Sequence, residues 1–266
     1  MAFGIFLKKM PGNIMKYPGL TTAAFFFICL NFVLQRLNLK RYFNFLNGVR
    51  IRAKMPDGCM VRCGLPDLVT VSEVYLTGVY NHLRCADSSI IIDAGANIGI
   101  PALKFSKAFK NSVVISVEPS AANFALLKGN LARNGAMNVI PVNAALSDKN
   151  GYAEFFVNKA DTTTASLFRQ QNTTVEKVRS VRLDDLLKEL EINAAGKKVF
   201  VKMDVEGAEL KVLQGAPELL KRKNVSILME THKELVPIET VSDFLKSRGF
   251  GIEILDLNFP YILAKK

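Results

Sequence analysis

The residues with most chemistry to offer stand where apolar runs stop. In "IIIDAGANIGIPALKF", residues 90–105, a run of isoleucines ends in Asp93, and Gly95, Asn97 and Gly99 follow at alternate positions before a helical pattern begins. Where a buried strand of a parallel sheet gives way to a helix, glycines let a ligand approach the backbone and the helix offers unpaired N–H groups. The order Asp93-x-Gly95-x-Asn97-x-Gly99 departs from the G-x-G-x-x-G of dinucleotide sites. A carboxylate here repels a pyrophosphate but accepts hydrogen bonds from an ammonium group. A second apolar run ends in Glu118, 25 residues on, where an acid can accept from two ribose hydroxyls at once. Either acid alone also suits a helix N-cap or a solvated strand end. Together they predict a ligand with an amine, a sugar and no phosphate between them.

S-adenosylmethionine has that arrangement, and its chemistry is methyl transfer. The acceptor is then expected at the next strand ends. "KMDVEGAEL" places Asp204 and Glu206 just beyond an apolar run, and "METHKE" places Glu230 and His232 two residues apart, on one face of an extended segment. His232 is one of two histidines, and a neutral imidazole is a natural acceptor for a hydroxyl proton. Glu230 would orient it or bind substrate, and Asp204 and Glu206 would bind substrate or an ion. The bland alternatives are a surface histidine in a polar loop and acids that favour a first helical turn. No metal ligand set is assigned. Cys59-x3-Cys63 with His82-x2-Cys85 offers zinc-ligand types, but two cysteines four apart on one strand lie about 13 Å from each other.

These positions need a scaffold. From position 89 onward, strand-like runs at 112–118, 138–142, 198–204 and 225–230 alternate with helical patterns at 98–109, 120–134, 206–222 and 238–248, and strands close the chain at 250–256 and 261–265. Such alternation predicts an α/β fold with a mainly parallel, doubly wound sheet and helices on both faces. An excursion at 151–190, with strands "YAEFFV" and "KVRSVRL", interrupts the rhythm; it is placed to cover the pocket or to be a surface loop. "VRIRAKM", Pro56-Asp57-Gly58 and "CMVRC" read as a hairpin opening the folded domain.

The 266 residues, 49% hydrophobic and 22% charged, can bury a sizeable core, which excludes disorder as the main state. Four cysteines without a closely spaced framework suit a reducing compartment. Of the net charge of +11, residues 1–58 carry +8 and the remainder only +3, so a nucleic-acid groove across the body is not expected. The basic N-terminal segment points to anionic lipid as an electrostatic partner. Within it, Leu20–Leu34 is 15 residues without a charge, short for a span. It is read as a docked helix, a membrane-surface anchor or a short span. The expected division is a helical arm at 1–47 and a catalytic domain at 48–266.

"DAGANIG", "VISVEPS…NFALLKGNLARNG…NVIPVNAALSDKNG" and "VKMDVEGAELKVLQGA", in that order, resemble the FkbM family of S-adenosylmethionine-dependent methyltransferases over residues 48–255. The resemblance implies a seven-stranded class I methyltransferase (Rossmann-like) sheet and methylation of a hydroxyl on a sugar, glycan or small natural product. It implies Asp93, Gly95, Asn97 and Gly99 at the methionine end, Glu118 at the ribose, and Asn143 near the adenine, where related enzymes often carry an acid. The base-methylating motif [DN]-P-P-[YF] is not present at Asp204-Val205-Glu206-Gly207, so no nucleic-acid partner is expected. S-adenosylmethionine is a cytosolic metabolite, which implies a cytoplasmic enzyme, with peripheral contact to the inner membrane through residues 1–47. A catalytically silent scaffold with the same fold is the alternative; it has no need to keep Asp93, Gly95 and Glu118. A nicotinamide oxidoreductase does not fit the glycine spacing.

Overall fold

A computed structural model describes residues 49–76, 79–82, 89–158, 173–232, 235–256 and 261–266. The chain divides into two compact units, residues 1–82 and 83–266. The boundary expected after residue 47 falls outside the described residues, as do Leu20–Leu34, Cys85 and residues 159–172 of the excursion. Among the described residues no helix is long and apolar enough to cross a membrane.

In the first unit, β1 (Arg50–Lys54) and β2 (Met60–Gly64) form the expected antiparallel hairpin, with Arg52 opposite Arg62. A helix not foreseen from the sequence, α1 (Leu68–Leu76), follows. Cys59 and Cys63 are free and buried, and burial pushes the Cys63 thiol up to about 12, so it stays protonated.

The second unit is built on a seven-stranded sheet. Its strands are β3 (Ile90–Ala94), β4 (Val113–Val117), β5 (Val139–Val142), β9 (Val199–Met203), β10 (Val225–Glu230), β11 (Gly251–Asp256) and β12 (Tyr261–Lys265), in the order β11-β12-β10-β9-β3-β4-β5. Only β12 runs against the others, pairing antiparallel with β10 and β11. β3, β9 and most of β4 and β10 are buried on both faces. That explains why they read as continuous apolar runs rather than alternating ones. Ile90, Ile92, Ile115, Val201 and Ile227 lie in one core cluster, each contributing about 1.5–3 kcal/mol through burial.

The chain moves from β3 outward to β4 and β5, then returns to β9 on the other side of β3. The switch point therefore lies between β3 and β9, and a crevice opens outside their carboxyl ends. Helix α2 (Ile100–Ala108) starts after Gly99, and α3 (Ala121–Arg133) starts at Ser120, whose hydroxyl accepts from Asn123 N. Between β5 and β9 the excursion forms its own sheet, with β6 (Ala145–Leu146), β7 (Gly151–Asn158) and β8 (Thr173–Val181) in the order β6-β8-β7. It closes with a further unforeseen helix, α4 (Leu183–Glu189).

The single helix expected over 206–222 is two short ones, α5 (Glu209–Gln214) and α6 (Pro217–Leu220). Two features break it. Glu206 has a φ of 51°, outside the helical region, so the helix starts later. At Gly215 a Cβ would come within 2.0 Å of the Ser147 carbonyl oxygen, so the chain passes too close for any side chain, and Pro217 follows. Helix α7 (Ile238–Lys246) leads into β11.

Candidate active site

Gly95 is where the crevice is made narrow. Its φ of 75° and its position against β9 leave no room: a Cβ would lie 1.7 Å from the carbonyl oxygen of Asp204. The turn after β3 is pinned from both sides. Gly95 N and Ala96 N donate to Val117 O, and Asn97 N donates to Glu118 Oε2 at 2.8 Å. Glu118 Oε1 accepts from Ser120 N at 2.9 Å. Glu118 thus braces the first two βα turns at the same time as it lines the crevice. Burial pushes its carboxyl up to about 7, against the pull of those two N–H groups.

Asp93 is placed differently from the sequence expectation. It is fully buried, and the ammonium beside it belongs to the chain: Lys202, its register partner on β9, brings Nζ to 3.2 Å from Oδ1. Neither Asp93 oxygen has a hydrogen bond of good geometry, whereas Nζ donates to Gly95 O at 2.8 Å. Burial raises the Asp93 carboxyl, and the Lys202 charge opposes it. Against its own burial, Lys202 is held above its ordinary value by Asp93 and Asp204. Asp93 has no surface from which to touch a ligand in this arrangement, so its effect is exerted through Lys202 and the turn.

The crevice is lined by the turn and acidic residues Gly95, Asn97, Glu118, Asp204 and Glu206 and by the apolar residues Ala144, Ala145, Leu146 and Phe155. Asn97 Oδ1 is buried and without a hydrogen-bond partner, an acceptor waiting for a donor. Polar groups, a carboxylate and an apolar wall side by side suit the amino acid, ribose and adenine of S-adenosylmethionine. Asn143 lies outside this lining; its Nδ2 donates to Glu118 O at 2.8 Å and Pro119 O at 3.0 Å, holding the turn. Gly99 forms the start of α2 behind the loop.

Asp204, Glu206 and His232 converge beside the crevice, one ligand-type atom from each lying within 4.8 Å of the others. His232 Nε2 is 3.2 Å from Glu206 Oε2 and 3.9 Å from Asp204 Oδ1. Its Nδ1 is 2.8 Å from Glu209 Oε1, an acid with no exposed surface that also accepts from Gly207 N. Burial opposes a charged imidazole here, yet the Glu209 hydrogen bond and the charges of Glu206 and Asp204 raise His232 to about 10. The acids around it thus favour the charged imidazolium over the neutral base expected from its residue type. Burial, then the Asp204 charge, raises Glu206 to about 8 and Glu230 to about 7. Glu230, at the end of β10, accepts from Tyr261 OH at 2.9 Å and feels the charges of Asp204, His232 and Lys202.

Three residues escaped the sequence reading. Lys202 was visible as the one charge in an otherwise apolar run, a pattern that asks for a buried partner. Glu209 looked like any acid of a first helical turn. Phe155 carried no signal, since nothing local shows that the excursion folds back over the crevice.

Residues 93–252 match the Methyltransferase FkbM domain family. The chain is 24% identical over 220 residues to Methyltransferase 1 of Beauveria bassiana (strain ARSEF 2860), covering 73% of this chain and 88% of that one. It is 26% identical over 209 residues to Methyltransferase sdnD of Sordaria araneosa, covering 68% and 80%. Among solved structures it resembles the methyltransferase FkbM from Methylobacillus flagellatus KT, with a TM-score of 0.51 at 19% identity, over 75% of this chain and 52% of that one. It therefore spans about half the length of that protein, and the likeness is one of fold. With the family match covering more than half of its residues and the crevice fitting the cofactor, the chain belongs to the FkbM family of S-adenosylmethionine-dependent methyltransferases.

Proposed function

We propose that the protein methylates a hydroxyl oxygen on a sugar, glycan or small natural product. The observation that carries this reading is the convergence of Asp204, Glu206 and His232 beside the crevice. A hydroxyl is a poor nucleophile until its proton leaves, and this cluster can both bind it and take the proton.

S-adenosylmethionine supplies a methyl group already activated on a sulfonium. Gly95 and Asn97 would hold its amino acid end, Glu118 its ribose hydroxyls, and Ala144, Ala145, Leu146 and Phe155 its adenine. The protein's part is then to align the acceptor oxygen about 3 Å from the methyl carbon and to remove a proton as charge leaves the sulfur. The imidazolium of His232 donates to and orients the acceptor side, Asp204 is the carboxylate in reach of the hydroxyl proton, and Glu206, its carboxyl raised to about 8, adds a further hydrogen-bonding group. Glu230 adds negative charge at the edge of this cluster. The stretch Asp204-Val205-Glu206-Gly207 carries no proline-flanked aromatic of the kind that grips a base.

The reading also places the protein in the cytosol, where the cofactor is made, with residues 1–47 contacting an anionic membrane face. The charge of the first 58 residues supports this. Incubation with methyl-labelled S-adenosylmethionine and fractionated lipid, glycan and small-molecule extracts tests the acceptor class. Label recovered as a methyl ether supports the reading, and label recovered only on nitrogen, carbon or nucleic acid overturns it.

A further inference from the structure

Asp204, Glu206 and His232 come from two different strand ends, yet their donor atoms share one small volume. Bonds of about 2.0–2.2 Å from a divalent ion to nitrogen and oxygen set neighbouring donors roughly 3 to 3.6 Å apart. The His232 Nε2 to Glu206 Oε2 distance of 3.2 Å falls within that spacing, and the Nε2 to Asp204 Oδ1 distance of 3.9 Å lies just beyond it. The Asp204 contact is too long for a hydrogen bond, so the carboxylate stands off from the imidazole instead of closing on it.

A second observation is independent of the cluster's acidity. Glu209, with no exposed surface, holds His232 Nδ1 at 2.8 Å, and its other oxygen, Oε2, is buried without a hydrogen-bond partner. A buried carboxylate on Nδ1 fixes the ring so that Nε2, on giving up its proton to solvent as an ion binds, faces the ligand, the arrangement found behind metal-bound histidines. Charge points the same way. Asp93, Asp204, Glu206, Glu209 and Glu230 gather around one lysine, Lys202, and one histidine.

We infer that Asp204, Glu206 and His232 form a binding site for one divalent cation, with Glu209 positioning the imidazole. One nitrogen and two carboxylate donors suit a borderline ion such as Mn²⁺ or Zn²⁺, with Mg²⁺ the harder alternative. The remaining positions face the crevice, where an acceptor hydroxyl bound to the ion loses its proton more readily. That last role rests on the hydroxyl-methylation reading; the site itself does not.

The test is Mn²⁺ binding to the full chain, followed by electron paramagnetic resonance of the free ion, with S-adenosylmethionine affinity measured in parallel by calorimetry. One Mn²⁺ per chain is expected. Asp204→Asn, Glu206→Gln and His232→Ala should each weaken it roughly tenfold or more while melting cooperatively. Glu209→Gln should weaken Mn²⁺ binding with cofactor affinity unchanged, and the exposed Asp243→Asn should leave both as they are. Competition by Zn²⁺ at the same stoichiometry also supports the site. No stoichiometric binding of Mn²⁺ or Zn²⁺ by the unaltered chain overturns the inference, as does binding that survives all three ligand substitutions. Because cofactor binding is read separately, its failure would count against the methyltransferase reading alone.

Discussion

Lys202 Nζ lies 3.2 Å from Asp93 Oδ1 across the β3–β9 switch point, with the two side chains 4% and 0% exposed. Removing one partner of such a pair strands a charge in the core. Lys202→Met is expected to destabilise the fold by about 3–5 kcal/mol, and Asp93→Asn with Lys202→Met together by less than the sum of the two single changes. Urea unfolding of the three variants measures this. Additive losses would mean that the pair does not act as a unit.

Glu118 gives cofactor binding a pH dependence. Its carboxyl sits at about 7 in the folded protein against an ordinary 4.5. A raised acid favours the protonated fold, so its contribution to stability is complete below about 4.5 and lost as pH rises through 7. Ribose hydroxyls donate best to the ionised form, so affinity should rise with pH up to about 7 and then level off. Calorimetry between pH 5.5 and 8.5 checks it, and Glu118→Gln should flatten the curve.

Gly95→Ala should be among the most damaging single-atom changes in the loop. A non-glycine residue at φ 75° costs about 1–2 kcal/mol. The contact 1.7 Å from Asp204 O further requires β3 or β9 to move. A lowered melting temperature together with lost cofactor affinity is expected. A variant that binds cofactor normally would show that the turn can relax.

His232→Ala should lower turnover roughly 10²- to 10³-fold, the loss expected for one preorganised donor, while leaving S-adenosylmethionine affinity near that of the unaltered enzyme. The imidazole is not part of the crevice lining that Glu118 and Asn97 share. Single-turnover kinetics with saturating cofactor separates the two. Equal losses in affinity and turnover would assign His232 to the architecture of the site instead of its chemistry.

The basic N-terminal segment should bring the full chain down with vesicles containing phosphatidylserine at low salt, each near-surface basic residue adding about 1 kcal/mol. Screening at high salt should release it. A chain that stays in solution under both conditions would remove the membrane contact from the account.

The parallel strands were legible in the sequence because burial on both faces leaves a continuous β-branched run that no surface element shows. The carboxyl ends of those runs located Asp93, Glu118, Asp204 and Glu230, since an acid there interrupts the apolar run, although Asp93 itself is buried. Lys202 broke that rule, and only the register of β9 on β3 reveals that its partner is Asp93. The break at Gly215 depends on backbone approach between distant segments, and that at Glu206 on a positive φ, neither of which local periodicity records. The charge of His232 is the clearest case. Residue type alone suggested a neutral base, but the protonation of an imidazole is decided by its neighbours, and Glu209 and Glu206 reach it only when β9 and β10 lie side by side.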